Sequence, residues 1–241
     1  ATMPPRIMMC AISMNSGMAT SRYTSRLPKM ISPTLPIPPS MATSTAFDVT
    51  LRNVFGPLVA GATVCVAPDG LLPEDVFAWL AAAQVSVLHV TPSLAASWLD
   101  EAGTIAPHNS ALHNSALRWT LFAGEMLTDT LVSRWRAAQP GAVGNMYGPT
   151  ETTMSRCLYV VPERPSVGPQ PVGTPLPGSQ TLVVDATGAL CEIGVPGEVL
   201  IRTRAGTAGY ANNVAEQAFR FVPNPFTDDP DDIVYRTGDR G

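Results

Sequence analysis

Three times between residues 62 and 138 a short apolar, β-branched run is followed by a stretch that opens with helix-starting residues, and this alternation constrains the fold more than any other feature. Ala62-Thr-Val-Cys-Val-Ala67 precedes Pro73-Glu-Asp-Val-Phe-Ala-Trp-Leu-Ala-Ala-Ala83. There Pro73 suits the first helical position, and Glu74 and Asp75 complement the positive end of the helix dipole. Val85-Ser-Val-Leu-His-Val90 precedes a second predicted helix, from Pro92 to about Leu99, and Leu117-Arg-Trp-Thr-Leu-Phe-Ala123 a third, from about Thr128 to Ala138. Near-continuous apolar strands joined through helices predict an α/β fold whose mostly parallel sheet is covered on both faces. Beyond about residue 160 the pattern changes to short strands broken by Pro and Gly: Thr181-Leu-Val-Val-Asp185, a turn at Ala186-Thr-Gly188, and Gly197-Glu-Val-Leu-Ile-Arg202. A small antiparallel or barrel-like β subdomain is expected there.

Composition matters chiefly at the N-terminal end. Residues 1–46 contain Arg6, Arg22, Arg26 and Lys29 but no acid, so all 19 acidic side chains lie later, beside 11 of the 15 basic ones. Ile31-Ser-Pro-Thr-Leu-Pro-Ile-Pro-Pro39 cannot be helical, because proline removes donors and restrains the residue before it. The same prolines spoil the amphipathic helix of an organellar transit peptide. Residues 1–46 therefore read as an atypical coil segment, disordered or non-native, ahead of an α/β core at 47–160 and a β-rich part at 161–241.

The formal net charge of −4 gives no basic excess for a phosphate backbone, which argues against nucleic-acid partners. No apolar run approaches the roughly 18–20 residues of a membrane-spanning helix, so no membrane partner is expected. Cys10, Cys65, Cys157 and Cys191 are scattered, without metal-ligand spacing, and read as reduced thiols of a cytoplasmic protein. His108-Asn-Ser-Ala-Leu112 is repeated at once as His113-Asn-Ser-Ala-Leu117, a period too short for a solenoid and suited to a duplicated surface loop.

Chemistry concentrates in Asn145-Met-Tyr-Gly-Pro-Thr-Glu-Thr-Thr153, where an aromatic, a Gly-Pro turn, hydroxyls and a carboxylate follow a buried-looking strand. Open α/β sheets bind ligands at the carboxyl ends of their strands. An aromatic ring there can stack on a base, a hydroxyl can donate to phosphate, and a carboxylate can hold magnesium. A Gly-Pro turn in that place is equally compatible with a purely structural role.

This stretch resembles the strongest signature of adenylate-forming enzymes, and its double threonine resembles the non-ribosomal peptide synthetase branch. Phe47-Asp-Val-Thr50, Ala123-Gly-Glu125, Gly197-Glu-Val-Leu-Ile201 with Gly209-Tyr210, and Tyr235-Arg-Thr-Gly-Asp239 resemble further motifs of that family, in its order. The resemblance implies the large N-terminal domain of the adenylate-forming fold. It further implies an ATP-dependent, amino-acid-adenylating ligase that uses Mg2+ and hands its product to the phosphopantetheine thiol of a peptidyl carrier domain, beside a condensation domain.

By that resemblance Tyr147 stacks on adenine, with Gly124 and Glu125 lining the same slot next to Gly148. Thr150 contacts the α-phosphate, Glu151 ligates magnesium, and Asp239 accepts from the ribose hydroxyls, as a carboxylate with two acceptor oxygens can. Thr150 and Glu151 are the implied catalytic pair. Asp48, at the edge of an apolar run, binds the substrate's α-ammonium, the cation without which burying a carboxylate would be costly. Val49, Arg52, His89, Leu121, Ala123, Met146, Met154 and Ser155 form the implied side-chain wall. Arg52 and His89, as two potential cations, would disfavour lysine, ornithine and arginine.

Two departures accompany the match. The glycine-rich phosphate loop of the family has as its counterpart Tyr23-Thr-Ser-Arg-Leu-Pro-Lys29, which lacks the glycines, and the chain ends at Gly241, where the family's hinge and C-terminal lid would begin. The expectation is a partial domain that does not sustain adenylate formation alone. The competing readings are an acyl-coenzyme A ligase-like enzyme, against which Asp48 argues, and a nucleotide-binding fragment without catalysis.

Overall fold

The structure, a computed structural model, describes residues 8–11, 48–68, 70–105 and 115–241. The chain forms two compact units, Ala1–Asn145 with Val160–Pro171, and Met146–Tyr159 with Val172–Gly241. The division is discontinuous and differs from a single cut after residue 160, because the chain passes from one unit to the other and back.

In the first unit the strands are β1 (Met8–Ala11), β2 (Thr63–Val66), β3 (Val87–Val90), β4 (Trp119–Ala123) and β5 (Ala142–Tyr147), the last of which carries the chain onward after Asn145. They lie in the order β2-β1-β3-β4-β5, with β1 parallel to β2 and β3, and β3 parallel to β4. β1 falls within the segment expected to be coil. Its backbone is paired on both edges, and that pairing outweighs the missing strand alternation of Met8–Ala11. Lys29, Phe47 and residues 108–114 of the duplicated loop lie outside the described residues.

Four helices accompany these strands: α1 (Val49–Val59), α2 (Val76–Ala82), α3 (Pro92–Ile105) and α4 (Asp129–Ala138). A 3-10 turn over Pro73–Asp75 leads into α2, with Pro73 at its first position. Thr128 starts α4 by accepting a hydrogen bond from the Leu131 amide at 3.4 Å. Helix α1 was not anticipated, since Gly56 and Pro57 sit inside it and both lower helix propensity.

Register separates the two faces of the sheet. Leu88 pairs with Thr120 and Val90 with Phe122, while His89, between them, pairs with Leu121. Phe122 packs edge-on to Trp135 of α4 at 5.6 Å, and Phe77 of α2 joins Trp135 to Trp98 of α3. These four rings are fully buried. The Trp135 indole also donates to Thr120 Oγ1 at 2.9 Å. Truncating any of these rings costs about 3–5 kcal/mol. With that face filled by helices α2 to α4, His89, Leu121 and Ala123 are left on the other.

The second unit holds β6 (Cys157–Val160) up to Tyr159, β7 (Thr174–Pro175) antiparallel to it, β8 (Ser179–Val184), β9 (Glu198–Thr203), α5 (Val214–Arg220), β10 (Phe221–Pro223) and β11 (Ile233–Arg240). The last four strands make an open antiparallel sheet in the order β10-β11-β9-β8, packed around Val184, Leu200 and Val234. Of the two forms expected for this part, the antiparallel one is found. Between β8 and β9, Asp185 Oδ1 accepts from the Thr187 and Ala189 amides at 2.8 and 3.1 Å, an Asx-type turn.

Candidate active site

The first unit gathers Asp48, Arg52 and His89. Asp48 stands at the N-cap of α1, where its carbonyl accepts from the Leu51 amide at 2.9 Å, while its side chain makes no capping bond. One turn on, burial lowers the pKa of Arg52 and the charge of Asp48 offsets part of that effect. The Arg52 charge in turn acts on His89, which is 6% exposed and whose two ring nitrogens have no hydrogen-bond partner among the described residues. Burial first and the Arg52 charge second lower the His89 pKa to about 3, so its imidazole is neutral near pH 7. This corrects the expectation of two cations: of the pair, Arg52 alone carries positive charge. Val49 is half-buried beside Asp48, and Leu121 and Ala123, also half-buried, share the sheet face of His89.

After β4 the chain turns at Gly124, whose φ of +89° is the left-handed region that glycine enters freely. Glu125 then reaches the start of α3: its Oε2 accepts from the Ser93 amide at 2.8 Å and its Oε1 from the Ser93 hydroxyl at 2.7 Å. The Glu125 carboxylate thus satisfies donors of the first helical turn and ties the β4 turn to α3.

In the second unit the loop after β5 is closed by the Arg156 amide donating to the Tyr147 carbonyl at 2.7 Å. Gly148 is required by crowding, for a Cβ there would lie 2.3 Å from the Met154 carbonyl oxygen and 2.6 Å from the Arg156 nitrogen. Thr150–Thr152 form a 3-10 turn, followed by Thr153 and Met154 at φ of +60° and +63°. Two successive non-glycine residues in the left-handed region mark stored strain of the kind found at ligand-binding loops. This geometry leaves Thr150 exposed and Met146, Tyr147, Gly148, Glu151, Met154 and Ser155 half-buried.

Two contacts organise the chemistry of this loop. Tyr147 Oη donates to Asp239 Oδ2 at 2.5 Å, where an irregularity in β11 between Arg236 and Arg240 sets the carboxylate. Burial and that bond to Asp239 push the Tyr147 phenol well above its usual pKa. Glu151 Oε1 accepts from Tyr210 Oη at 2.6 Å, and Tyr210 Oη lies 3.0 Å from Tyr235 Oη. Burial alone would raise the Glu151 pKa, but hydrogen bonding led by Tyr210 outweighs it and the carboxylate is held below its ordinary value. A cavity of about 380 Å³ opens beside it, lined by Glu151, Thr203, Thr207, Phe221 and Tyr235 among others.

No cluster of three metal-ligating side chains exists among the described residues. A lone ionised carboxylate is nonetheless the donor set of magnesium sites that complete their shell with substrate phosphates and water. Glu151 fits that role.

Comparison with known proteins identifies the arrangement. Residues 40–211 match the family model described as AMP-binding enzyme. The chain belongs to the AMP-binding enzyme family. Two curated relatives are tyrocidine synthase 3 of Brevibacillus parabrevis, 33% identical over 80% of this chain, and delta-poly-L-ornithine synthetase of Acinetobacter baumannii, 34% identical over 81%. The chain spans 3% and 14% of their respective lengths. Among solved structures it resembles PA1221, described as a non-ribosomal peptide synthetase protein containing adenylation and carrier domains. That match has a TM-score of 0.70 and 28% identity, over 82% of this chain and 39% of the other. The chain thus has the α/β fold of adenylation N-terminal subdomains.

Within this AMP-binding fold the predicted residues fall into two groups. Asp48, Val49, Arg52, His89, Leu121, Ala123, Gly124 and Glu125 belong to the first unit, and Met146, Tyr147, Gly148, Thr150, Glu151, Met154, Ser155 and Asp239 to the second. Sequence reasoning missed Tyr210 as the partner of Glu151 and Tyr235 as the partner of Tyr210, although both lie in motifs it had singled out.

Proposed function

We propose that the chain carries the amino-acid- and nucleotide-binding part of an adenylation domain that activates an α-amino acid with ATP. The observation that carries the amino-acid assignment is Asp48, a half-buried carboxylate at the start of α1. A carboxylate so placed suits the ammonium of an α-amino acid, and His89, Leu121 and Ala123 supply a wall for the side chain. Tyr147 offers its ring to adenine, Asp239 its carboxylate to the ribose hydroxyls, and Thr150 its exposed hydroxyl to the α-phosphate. Magnesium held by Glu151 would neutralise phosphate charge.

In the reaction the substrate carboxylate attacks the α-phosphorus, forming a carboxyl–phosphate bond as the bond to pyrophosphate breaks. The thiol of a phosphopantetheine on a carrier domain then takes the acyl group, and AMP leaves. Positioning and charge stabilisation supply most of the rate. Because Arg52 carries positive charge at the wall, neutral or acidic side chains are favoured over lysine, ornithine and arginine.

Titrating residues 1–241 with sulfamoyl-adenosine analogues carrying different amino acids tests this reading without requiring turnover. Competition with ATP, and tighter binding of glutamine or leucine analogues than of the lysine or ornithine analogue, supports it. A preference for the ornithine analogue would overturn the charge argument, and binding that ATP does not displace would overturn the nucleotide assignment.

A further inference from the structure

We propose that Tyr210, backed by Tyr235, is a positioning residue that fixes the carboxylate of Glu151 for a divalent cation. This rests on the reading of Glu151 as the magnesium ligand. Tyr210 has one hydroxyl proton, and its 2.6 Å contact with Glu151 Oε1 places that proton toward an ionised acceptor. In the 3.0 Å contact between the two phenols Tyr210 must therefore accept, so Tyr235 donates. The resulting chain runs in one direction, from Tyr235 to Tyr210 to Glu151, and each bond polarises the next.

The surroundings hold this chain in place. The Tyr210 and Phe221 rings meet edge-on at 5.5 Å, and Phe221 meets Tyr235 at 5.1 Å, so one aromatic wedge sets both hydroxyls. The Tyr210 amide donates to Gln217 Oε1 at 2.7 Å, which ties the residue to α5. At the other end the Thr207 amide donates to the Glu151 carbonyl at 2.8 Å and pins its backbone. A glutamate otherwise loses rotamer freedom on being ordered. A carboxylate already held by one oxygen meets the cation with that cost largely met by the fold. Outer partners of metal ligands commonly change metal affinity by about 10–100-fold when removed.

The test uses residues 1–241 and a non-hydrolysable ATP analogue with Mn2+ as the probe. Water-proton relaxation enhancement reads the affinity for the Mn2+-loaded analogue, and fluorescence reads the affinity for the metal-free one. Tyr210→Phe is expected to weaken the Mn2+-loaded analogue roughly tenfold while leaving the metal-free affinity within about twofold. Tyr235→Phe, which keeps Tyr210 in place and removes the phenol hydroxyl behind it, is expected to weaken the loaded form by roughly two- to threefold. In a Glu151→Gln background Tyr210→Phe should add nothing. Equal losses for loaded and metal-free analogue, or a full Tyr210→Phe effect in the Glu151→Gln background, would make Tyr210 a structural brace and overturn the proposal. Unchanged Mn2+ affinity in Glu151→Gln itself would instead overturn the metal reading beneath it.

Discussion

Tyr147 and Asp239 stand 92 positions apart in the chain and are joined by a 2.5 Å hydrogen bond from phenol to carboxylate. This bond ties the Tyr235–Asp239 motif, which lies beyond the end of the family match at residue 211, to the loop after β5. One Asp239 oxygen is engaged by Tyr147 and the other is Oδ1, an acceptor suited to a ribose hydroxyl.

Asp239→Ala should therefore weaken binding of an ATP analogue by about 2 kcal/mol, the scale of hydrogen bonds to a charged group. Tyr147→Phe keeps the ring and releases Asp239, and its cost should be about 1 kcal/mol or less. Calorimetry on both variants decides the point. Unchanged affinity in Asp239→Ala would reduce the Tyr235–Asp239 stretch to a turn.

Gly148→Ala places a methyl group 2.3 Å from the Met154 carbonyl oxygen, against backbone that cannot yield as a side-chain tip can. A loss of roughly 1–3 kcal/mol in unfolding stability is expected, with weakened Mn2+-nucleotide binding because Thr150 and Glu151 ride on the same loop. Denaturant titration of the variant checks the first effect, and a wild-type midpoint would contradict the crowding.

His89 links the first unit to pH. Its pKa is about 3 when folded and near 6.5 when unfolded, so below about 6.5 the unfolded chain binds a proton that the folded chain refuses. Stability contributed by the neutral imidazole is present above about pH 6.5 and is lost as pH falls toward 3. The slope is about 1.4 kcal/mol per pH unit. His89→Asn should lose less stability than wild type between pH 6.5 and 4.5, by about 2 kcal/mol. Parallel stability–pH curves for the two proteins would show that His89 is charged or solvated in the fold.

The alternation of strands and helices was legible because each apolar run is short and each helix announces itself, as Pro73 and Thr128 do. Helix α1 was hidden by Gly56 and Pro57, and α5 went unread although Asn213 and Glu216 form the cap-and-third-residue pattern of a helix start. Asn213 Oδ1 does accept from the Glu216 amide, at 3.3 Å. In the site, motif residues were legible by type, but their partners were not. Nothing local indicates that Glu125 binds Ser93, 32 positions away, or that Tyr210 meets Glu151, 59 positions away. The burial that keeps His89 neutral likewise depends on α1 and the sheet together and is invisible in Val87-Leu-His-Val90.

The central claim is that Asp48 receives the α-ammonium of an amino acid. The most direct measurement is the ratio of affinities of residues 1–241 for an aminoacyl-sulfamoyl-adenosine and for the same compound lacking the α-amino group, in wild type and in Asp48→Ala. An ammonium–carboxylate contact of about 1.5–3 kcal/mol predicts that wild type prefers the amino compound by roughly tenfold or more, and that Asp48→Ala erases the preference while still binding the desamino compound. Equal affinity of wild type for the two compounds, or a preference that survives in Asp48→Ala, would contradict the account and favour an acyl-coenzyme A ligase-like substrate.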